Sequence, residues 1–147
     1  MRTSPVRERG TLKDSLTVAG GEVLVRILLD THVLIWWDEG ARLHQEAKRA
    51  IRDADQVYVS AVSGWEIAIK TSLGRLRPKR TVALAIEESG FEELPLRLRH
   101  AEALGRLPAH HKDPFDRMLA AQAQAEGLTL VTRDAAFRAY RLRLVRA

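Results

Sequence analysis

The sequence contains no cysteine, and it has no apolar run of the length that a membrane span requires. The absence of cysteine excludes disulfides and cysteine-ligated zinc sites, and it is consistent with a reducing, cytoplasmic location. A membrane helix needs roughly 20 consecutive apolar residues, so we expect no membrane association. The arginines near the N-terminus are not followed by an apolar segment, so we also expect no secretory signal.

Charge of one sign is only slightly in excess. Lysine and arginine number 24 and the acidic residues 19, which gives a net charge of +5 and a pI of about 10.1. A basic protein tends to meet polyanions such as nucleic acids, but an excess of this size supports such a partner only weakly. At 147 residues the chain fits one domain with a core of its own.

The first 24 residues show no sustained hydrophobic period and contain Pro5, Gly10, Gly20 and Gly21. This pattern predicts a flexible N-terminal tail over residues 1–24, with at most a helical turn around Leu12 to Val18. We expect that this tail is not native and that the native start lies at Val23 or Val25. Residues 25–147 are then a single domain.

From residue 26 onward, short apolar segments alternate with helical patterns. The segments "RILL", "VYVS" and "LTLVT" read as buried strands, and "FEELPL" and "RLRLVRA" as weaker ones. Helical spacing separates them, most strongly in "DPFDRMLAAQAQAEG". Alternating strands and helices predict an α/β fold with a parallel sheet covered by helices on both faces.

Four carboxylates lie where this fold places ligand sites. Asp30 follows "RILL" and Asp134 follows "LTLVT", while Glu66 and Asp116 occupy the first turns of helices. In an open parallel sheet, ligand sites gather beyond the carboxyl ends of the strands. All four acids are therefore expected at one edge of the sheet.

Position alone leaves two interpretations open. In the first, the acids are helix caps: Ser63 to Glu66 matches a capping box, Asp113 precedes Pro114 as an N-cap, and Asp30 and Asp134 cap the segments that follow them. In the second, they crowd together. Two carboxylates about 4 Å apart repel by about 4 kcal/mol at an effective dielectric of 20, so a cluster needs a cation. Oxygen ligands favour Mg²⁺ or Mn²⁺.

Three ordered blocks of the sequence resemble a known family. These are "ILLDTHVLIWW", "VSAVSGWEIAIKTSLGRL" and "LPAHHKDPFDRMLAAQAQAEGLTLVTRDAAF". They are similar to the PIN-domain ribonucleases, and most similar to the VapC-type toxins of type II toxin–antitoxin systems. The resemblance covers residue 26 to the C-terminus. It implies a three-layer α/β/α sandwich around a central parallel β-sheet.

The resemblance also implies a site. Asp30, Glu66, Asp116 and Asp134 match the family's acidic quartet, which binds Mg²⁺, with Mn²⁺ as a substitute. Asp30 and Asp116 are expected to bind the metal directly, and Glu66 and Asp134 through water, one of them serving as general base. Asp113 is expected to be a cap or to lie just outside the metal ligands.

The implied function is that of an endoribonuclease toxin that hydrolyses RNA phosphodiester bonds by metal-activated water. A cognate antitoxin would hold it inactive, and a homodimer is expected. The alternatives are a PIN-type nuclease of RNA processing, a DNA-directed nuclease, and a non-catalytic binding domain whose acids are helix caps. A phosphatase is a weaker alternative, because no D-x-D motif follows the first strand.

Other residues carry weaker signals. Thr31 and Thr132 adjoin the acids and are candidates to hydrogen-bond a carboxylate. His110 and His111 match no zinc motif, so a loop role or a contact with the substrate phosphate outside the metal ligands is expected. Three tryptophans are expected to pack in the fold or at a subunit interface, with base stacking as the alternative (Trp36, Trp37, Trp65). A basic cluster either faces solvent or guides RNA (Lys70, Arg75, Arg77, Lys79, Arg80). Two arginines beside quartet acids are candidates to balance the charge of the site or to contact the substrate phosphate (Arg117, Arg133).

Overall fold

Five parallel strands form the centre of the fold in this computed structural model, which describes residues 16–19, 22–40 and 42–147. These five are β2 (Glu22–Leu29), β3 (Gln56–Ser60), β4 (Glu92–Leu94), β5 (Thr129–Thr132) and β6 (Leu144–Arg146). A sixth strand, β1 (Leu16–Ala19), pairs with β2 outside this parallel set. The helices are α1 (Thr31–Glu39), α2 (Gln45–Asp53), α3 (Ala61–Ser72), α4 (Val82–Ser89), α5 (Leu98–Gly105) and α6 (Pro114–Glu126), with a 3-10 turn at Ala135–Ala139.

The sheet has the order β4-β3-β2-β5-β6, and all four pairings along this path are parallel. Strand β2 is central, with β3 on one side and β5 on the other. The chain leaves β2 towards β3 and returns later to β5 on the opposite side. This reversal makes the carboxyl end of β2 the place where an open α/β sheet offers a crevice.

Alternating side chains of β2 supply the two halves of the core. Ile27 and Leu29 pack on one face with α1 and α2, whereas Leu28 packs on the other with Leu119 and Phe137. Successive side chains of a strand point to opposite faces, so burial of all three requires cover on both sides of the sheet. The predicted α/β sandwich around a parallel sheet is confirmed.

The N-terminal region differs from the prediction where the structure describes it. Strand β1 pairs antiparallel with β2, from Leu16 opposite Val25 to Ala19 opposite Glu22. Leu16 to Val18 are therefore strand rather than helical turn, and residues 22–24 extend β2 rather than a tail. Residues 1–15, 20 and 21 lie outside the described residues. The boundary at residue 25 and the native start stay predictions.

No helix within the described ranges has both the length and the apolar character needed to cross a membrane.

Candidate active site

Asp30 lies at the carboxyl end of β2, where its backbone N–H donates to the Val131 carbonyl at 3.0 Å. It is the N-cap of α1 by position, but its side chain makes no capping hydrogen bond. Instead, Oδ2 accepts from the Thr132 hydroxyl at 2.7 Å. Burial raises the pKa of Asp30, the Thr132 hydrogen bond opposes that rise, and the charge of Glu66 adds to it. The cap interpretation is wrong for this residue, and the predicted bond from Thr132 to a carboxylate is present.

Glu66 lies inside α3, one turn beyond the position that a capping box requires. The helix begins at Ala61, and the Ser60 hydroxyl caps it by accepting from the Val62 N–H. The predicted capping box from Ser63 to Glu66 is therefore wrong. Ser63 instead shares a 2.8 Å hydrogen bond with the Thr31 hydroxyl, so Thr31 does not contact a carboxylate through this bond.

The two oxygens of the Glu66 carboxylate differ. The residue is 2% exposed, and Oε2 accepts from Lys70 Nζ at 2.5 Å. Within the described part of the chain, Oε1 has no hydrogen-bond partner. A buried carboxylate oxygen without a partner is costly in a folded protein unless a cation or a water completes it.

Asp113 and Asp116 lie one turn apart at the start of α6 and have different environments. Asp113 is the N-cap: its Oδ1 accepts from the N–H groups of Phe115 at 2.8 Å and Asp116 at 3.1 Å. Asp116 makes no capping bond of this kind. Burial, together with the charges of Asp30, Asp113 and Glu66, raises the pKa of Asp116 to about 7.

Asp134 combines two roles. Its Oδ1 caps the 3-10 turn by accepting from the Ala136 N–H at 2.9 Å, and its Oδ2 lies 2.8 Å from His111 Nε2. Burial raises the pKa of Asp134, but the Ala136 and His111 hydrogen bonds outweigh that effect, so the pKa is lowered overall. The cap interpretation holds for one oxygen of Asp134 only.

His111 contacts two of the predicted acids, which the sequence does not predict. Its Nε2 lies 3.0 Å from Asp116 Oδ2 as well as beside Asp134, and its Nδ1 accepts from the Asp113 N–H. The proton of the neutral ring therefore faces the two carboxylates. Burial lowers the pKa of His111, but the Asp134 bond and the charges of Asp116 and Asp113 raise it overall. No periodic pattern marks a loop histidine of this kind.

The four predicted acids are brought together at the carboxyl edge of the sheet. The pKa of Asp116 responds to the charges of Asp30 and Glu66, and that of Asp30 to Glu66. Ligand atoms of His111, Asp116 and Asp134 all lie within 4.8 Å of one another. We call Asp30, Glu66, Asp116 and Asp134 the acidic centre.

Two of the predicted basic residues already have acidic partners. Lys70 is bound to Glu66 in the acidic centre, and the hydrogen bond with Glu66 raises its pKa against the effect of burial. Arg80 pairs with Asp38 and Glu88 at 2.6 and 2.7 Å. The exposed remainder of the cluster is Arg75, Arg77 and Lys79.

Trp36 and Trp37 contact other side chains of the fold, whereas Trp65 is largely exposed. The Arg133 guanidinium carbon lies 4.0 Å from the centroid of the Trp36 ring. Trp37 Nε1 donates to the Ser89 hydroxyl at 3.2 Å. Trp65 is 58% exposed and meets the ring of Phe115 edge-on. Only Trp65 offers a large open ring surface among the three.

The residues of the acidic centre fit a divalent metal ion. Their donors are carboxylate oxygens, which hard cations prefer. Glu66 Oε1 has no hydrogen-bond partner among the described residues, and burial and mutual charge raise the pKa of Asp30 and Asp116. A cation in this place would remove both costs at once.

Comparison with known proteins agrees with this geometry. The PIN domain family model matches residues 27–142. Ribonuclease VapC22 of Mycobacterium tuberculosis is 33% identical over 128 residues, which cover 80% of this chain and 94% of that protein.

Two solved structures share the fold. The crystal structure of VapBC2 from Rickettsia felis, bound to a DNA fragment from its promoter, matches with a TM-score of 0.65 at 18% identity, over 82% of this chain and 98% of that chain. A toxin–antitoxin complex from Klebsiella pneumoniae matches with a TM-score of 0.58 at 24% identity, over 81% and 95%. The predicted resemblance is confirmed, and the chain belongs to the PIN-domain family, in its VapC branch.

Proposed function

We propose that this chain is a Mg²⁺-dependent endoribonuclease, with Mn²⁺ as a substitute, and that it is the toxin of a toxin–antitoxin pair in the cytoplasm. The observation that carries the proposal is the acidic centre: four carboxylates from separate parts of the chain, one with an unpartnered buried oxygen and one with a pKa of about 7. Nucleases of the PIN family generally use a divalent metal. The similar protein from M. tuberculosis is named a ribonuclease.

In this proposal Asp30 and Asp116 would hold the cation directly, and Glu66 and Asp134 would hold it through water. The cation, when bound, supplies positive charge that activates water and offsets the charge of the phosphate. Thr132 fixes the orientation of Asp30 through its 2.7 Å bond, and Lys70 balances one oxygen of Glu66. The other oxygen of Glu66 remains able to accept a proton from an attacking water.

The test is cleavage of RNA by the purified chain. We expect cleavage with Mg²⁺, loss of cleavage with EDTA, and loss in Asp30→Asn. Asp53→Asn is the matched control, because Asp53 is exposed at the end of α2 and lies outside the acidic centre. Undiminished cleavage by Asp30→Asn, or no cleavage with either metal, would contradict the proposal.

The proposal includes two protein partners, a cognate antitoxin and a second copy of the chain. Its support on this chain is the exposure of large apolar side chains, including Trp65 at 58% and Leu73 at 59%, both on or directly after α3. Light scattering of the chain alone should give the mass of a homodimer. Addition of the antitoxin encoded beside it should stop RNA cleavage, and unchanged cleavage would remove the toxin–antitoxin part of the proposal.

A further inference from the structure

A cleft of about 390 Å³ opens beside the acidic centre, at the carboxyl ends of β5 and β6. Three arginines from three different elements line it: Arg133 directly after β5, Arg138 on the 3-10 turn and Arg146 on β6. We call it the arginine cleft. Ligand sites typically occupy roughly 300–1,000 Å³, so its volume suits a small group or one segment of an extended chain.

The arginine cleft and the acidic centre share Asp134 and are also connected through Thr132. Thr132 and Asp134 line the cleft, and the Thr132 hydroxyl donates to Asp30. Asp134 in turn contacts His111, which lies beside Asp116. A group in the cleft is therefore next to the carboxylates that would hold the metal.

One of the arginines is fixed in place. Arg133 Nε donates to the Ala147 carbonyl at 3.0 Å, its guanidinium stacks on Trp36, and a further N–H donates to the Arg42 carbonyl. These three contacts hold the guanidinium of Arg133 at the wall of the cleft.

The other two arginines have no assigned structural role. The side chains of Arg138 and Arg146 are exposed, and within the described ranges neither makes a hydrogen bond or an ion pair. Glu46 is the acid on the cleft wall besides Asp134, and Asp134 is bonded to His111. The cleft therefore presents two guanidinium groups, those of Arg138 and Arg146, that pair with no acid among the described residues.

We propose that the arginine cleft binds a backbone phosphate of the RNA substrate, next to the phosphate that reacts at the acidic centre. Guanidinium groups bind phosphate oxygens through paired hydrogen bonds, and they keep their charge at any physiological pH. This inference rests on the ribonuclease function proposed above. RNA is favoured over an acidic protein segment because a phosphodiester held at the acidic centre necessarily places its neighbouring phosphates nearby.

The chain offers a matched control for this proposal. A second cleft, also of about 390 Å³, lies at the amino ends of β5 and β6 and is lined by Arg141 and Arg143. It is lined by Gly127 and Leu128, which precede β5, so it is remote from the acidic centre. Two arginines can thus be neutralised in either cleft with the same change in net charge.

The experiment measures binding of a fluorescein-labelled oligouridine by anisotropy at several salt concentrations. All proteins carry Asp30→Asn so that the RNA stays intact. We expect Arg138→Gln/Arg146→Gln to weaken binding by roughly tenfold and to reduce the slope of log affinity against log salt by about 0.7 for each phosphate that the protein no longer neutralises. Arg141→Gln/Arg143→Gln should bind like its parent, and Glu46→Gln should bind more tightly.

Each other outcome overturns the proposal in a recognisable way. Equal loss in both double variants would mean that only overall charge matters. Unchanged binding in Arg138→Gln/Arg146→Gln, while the chain with Asp30 intact still cleaves RNA, would reject the arginine cleft and keep the ribonuclease. Loss of affinity for the antitoxin instead of RNA would make the cleft a protein-docking site. If the parent neither binds nor cleaves RNA, both proposals fail.

Discussion

Two polar clusters of this molecule differ in how well their carboxylates are supplied with hydrogen-bond partners. One is the acidic centre. The other is a polar core network that joins Ser60 at the end of β3 to α5 and α6. In the polar core network, the Ser60 hydroxyl donates to Gln122 Oε1 at 2.5 Å, and Gln122 Nε2 lies 3.3 Å from His100 Nδ1. His100 Nε2 then lies 2.7 Å from Glu126, which also pairs with Arg99.

Glu126 in the polar core network and Asp116 in the acidic centre have opposite pKa shifts. Burial raises the pKa of Glu126, but hydrogen bonds from His100 and Arg99 outweigh it and lower the pKa overall. Burial and neighbouring acids instead raise the pKa of Asp116 to about 7. In the acidic centre, Glu66 Oε1 also has no hydrogen-bond partner within the part of the chain that the structure describes. Over the same described ranges, the neutral hydroxyl oxygen of Thr129 is the one other buried polar side-chain atom of which this is true. The polar core network pairs its own charged groups, whereas the acidic centre leaves a buried carboxylate oxygen without a partner among the described residues.

The largest expected effect separates the clusters by activity. Asp116→Asn should lower the rate of RNA cleavage by at least about 100-fold, because loss of even an indirect metal contact typically costs 10–100-fold. Glu126→Gln, the matched change in the polar core network, should leave the rate within about twofold. Initial rates on one RNA substrate decide the point. Equal losses in the two variants would erase the distinction between the clusters.

The next effect separates them by stability. His100 is fully buried, and His100→Ala leaves a cavity and removes one hydrogen bond each from Glu126 and Gln122. We expect the free energy of unfolding to fall by about 2–3 kcal/mol, measured by urea denaturation. Mg²⁺ affinity should stay that of the parent wherever the variant is folded. A selective loss of Mg²⁺ affinity at full stability would assign His100 to the active site.

The sequence predicts the sheet and the placement of the acids because both depend on local signals. Apolar β-branched runs mark β2, β3 and β5, and a charge directly after such a run marks the carboxyl edge, as at Asp30 and Asp134. The i,i+4 spacing of Glu66 and Lys70 is also a local signal for their ion pair. By sequence alone, Lys70 instead falls in the basic cluster, because several basic residues follow it.

Other features depend on contacts between distant parts of the chain. The position of His111 between Asp116 and Asp134 requires the loop before α6 to fold against the end of β5, and no spacing encodes this. The predicted cap of α3 at Ser63 is wrong. Two serines precede Glu66, and Ser60 is the cap because β3 ends there and the helix begins at the next residue. Strand β1 is short, and among the described strands it pairs with β2 alone, so its four residues carry little pattern of their own.

A third prediction uses pH, in EDTA. Asp116 has an ordinary pKa of 3.8 and a folded value of about 7, so between these pH values the folded chain binds the extra proton. Its contribution to the free energy of unfolding therefore falls as pH rises through this window, by at most about 1.4 kcal/mol per pH unit, and levels off above it. Asp116→Asn should flatten this slope in urea denaturation.

Glu126 should behave in the opposite sense. Its folded pKa lies below the ordinary value of 4.5, so its contribution to stability is present above that pH and is lost as the pH falls further. Glu126→Gln should therefore remove a loss of stability in acid and leave the slope near neutral pH unchanged. A neutral-pH slope that follows Glu126 rather than Asp116 would reverse the assignment of the two clusters.

The smallest expected effect concerns the orientation of Asp30. Thr132→Val keeps the shape of the side chain but removes the 2.7 Å hydrogen bond to Asp30 Oδ2. Mg²⁺ affinity should fall by about tenfold, the typical cost of losing a group that orients a ligand, and Thr132→Ser should restore it. Titration calorimetry on both variants checks this. Equal affinities in the valine and serine variants would show that Asp30 needs no such support.

The most direct test is titration calorimetry of Mg²⁺ into the parent, into Asp30→Asn/Asp116→Asn and into Glu126→Gln. We predict that the parent and Glu126→Gln bind the ion and that the double variant does not. Undiminished binding by the double variant, or no binding by the parent at millimolar Mg²⁺, would contradict the central claim that these carboxylates form one metal site.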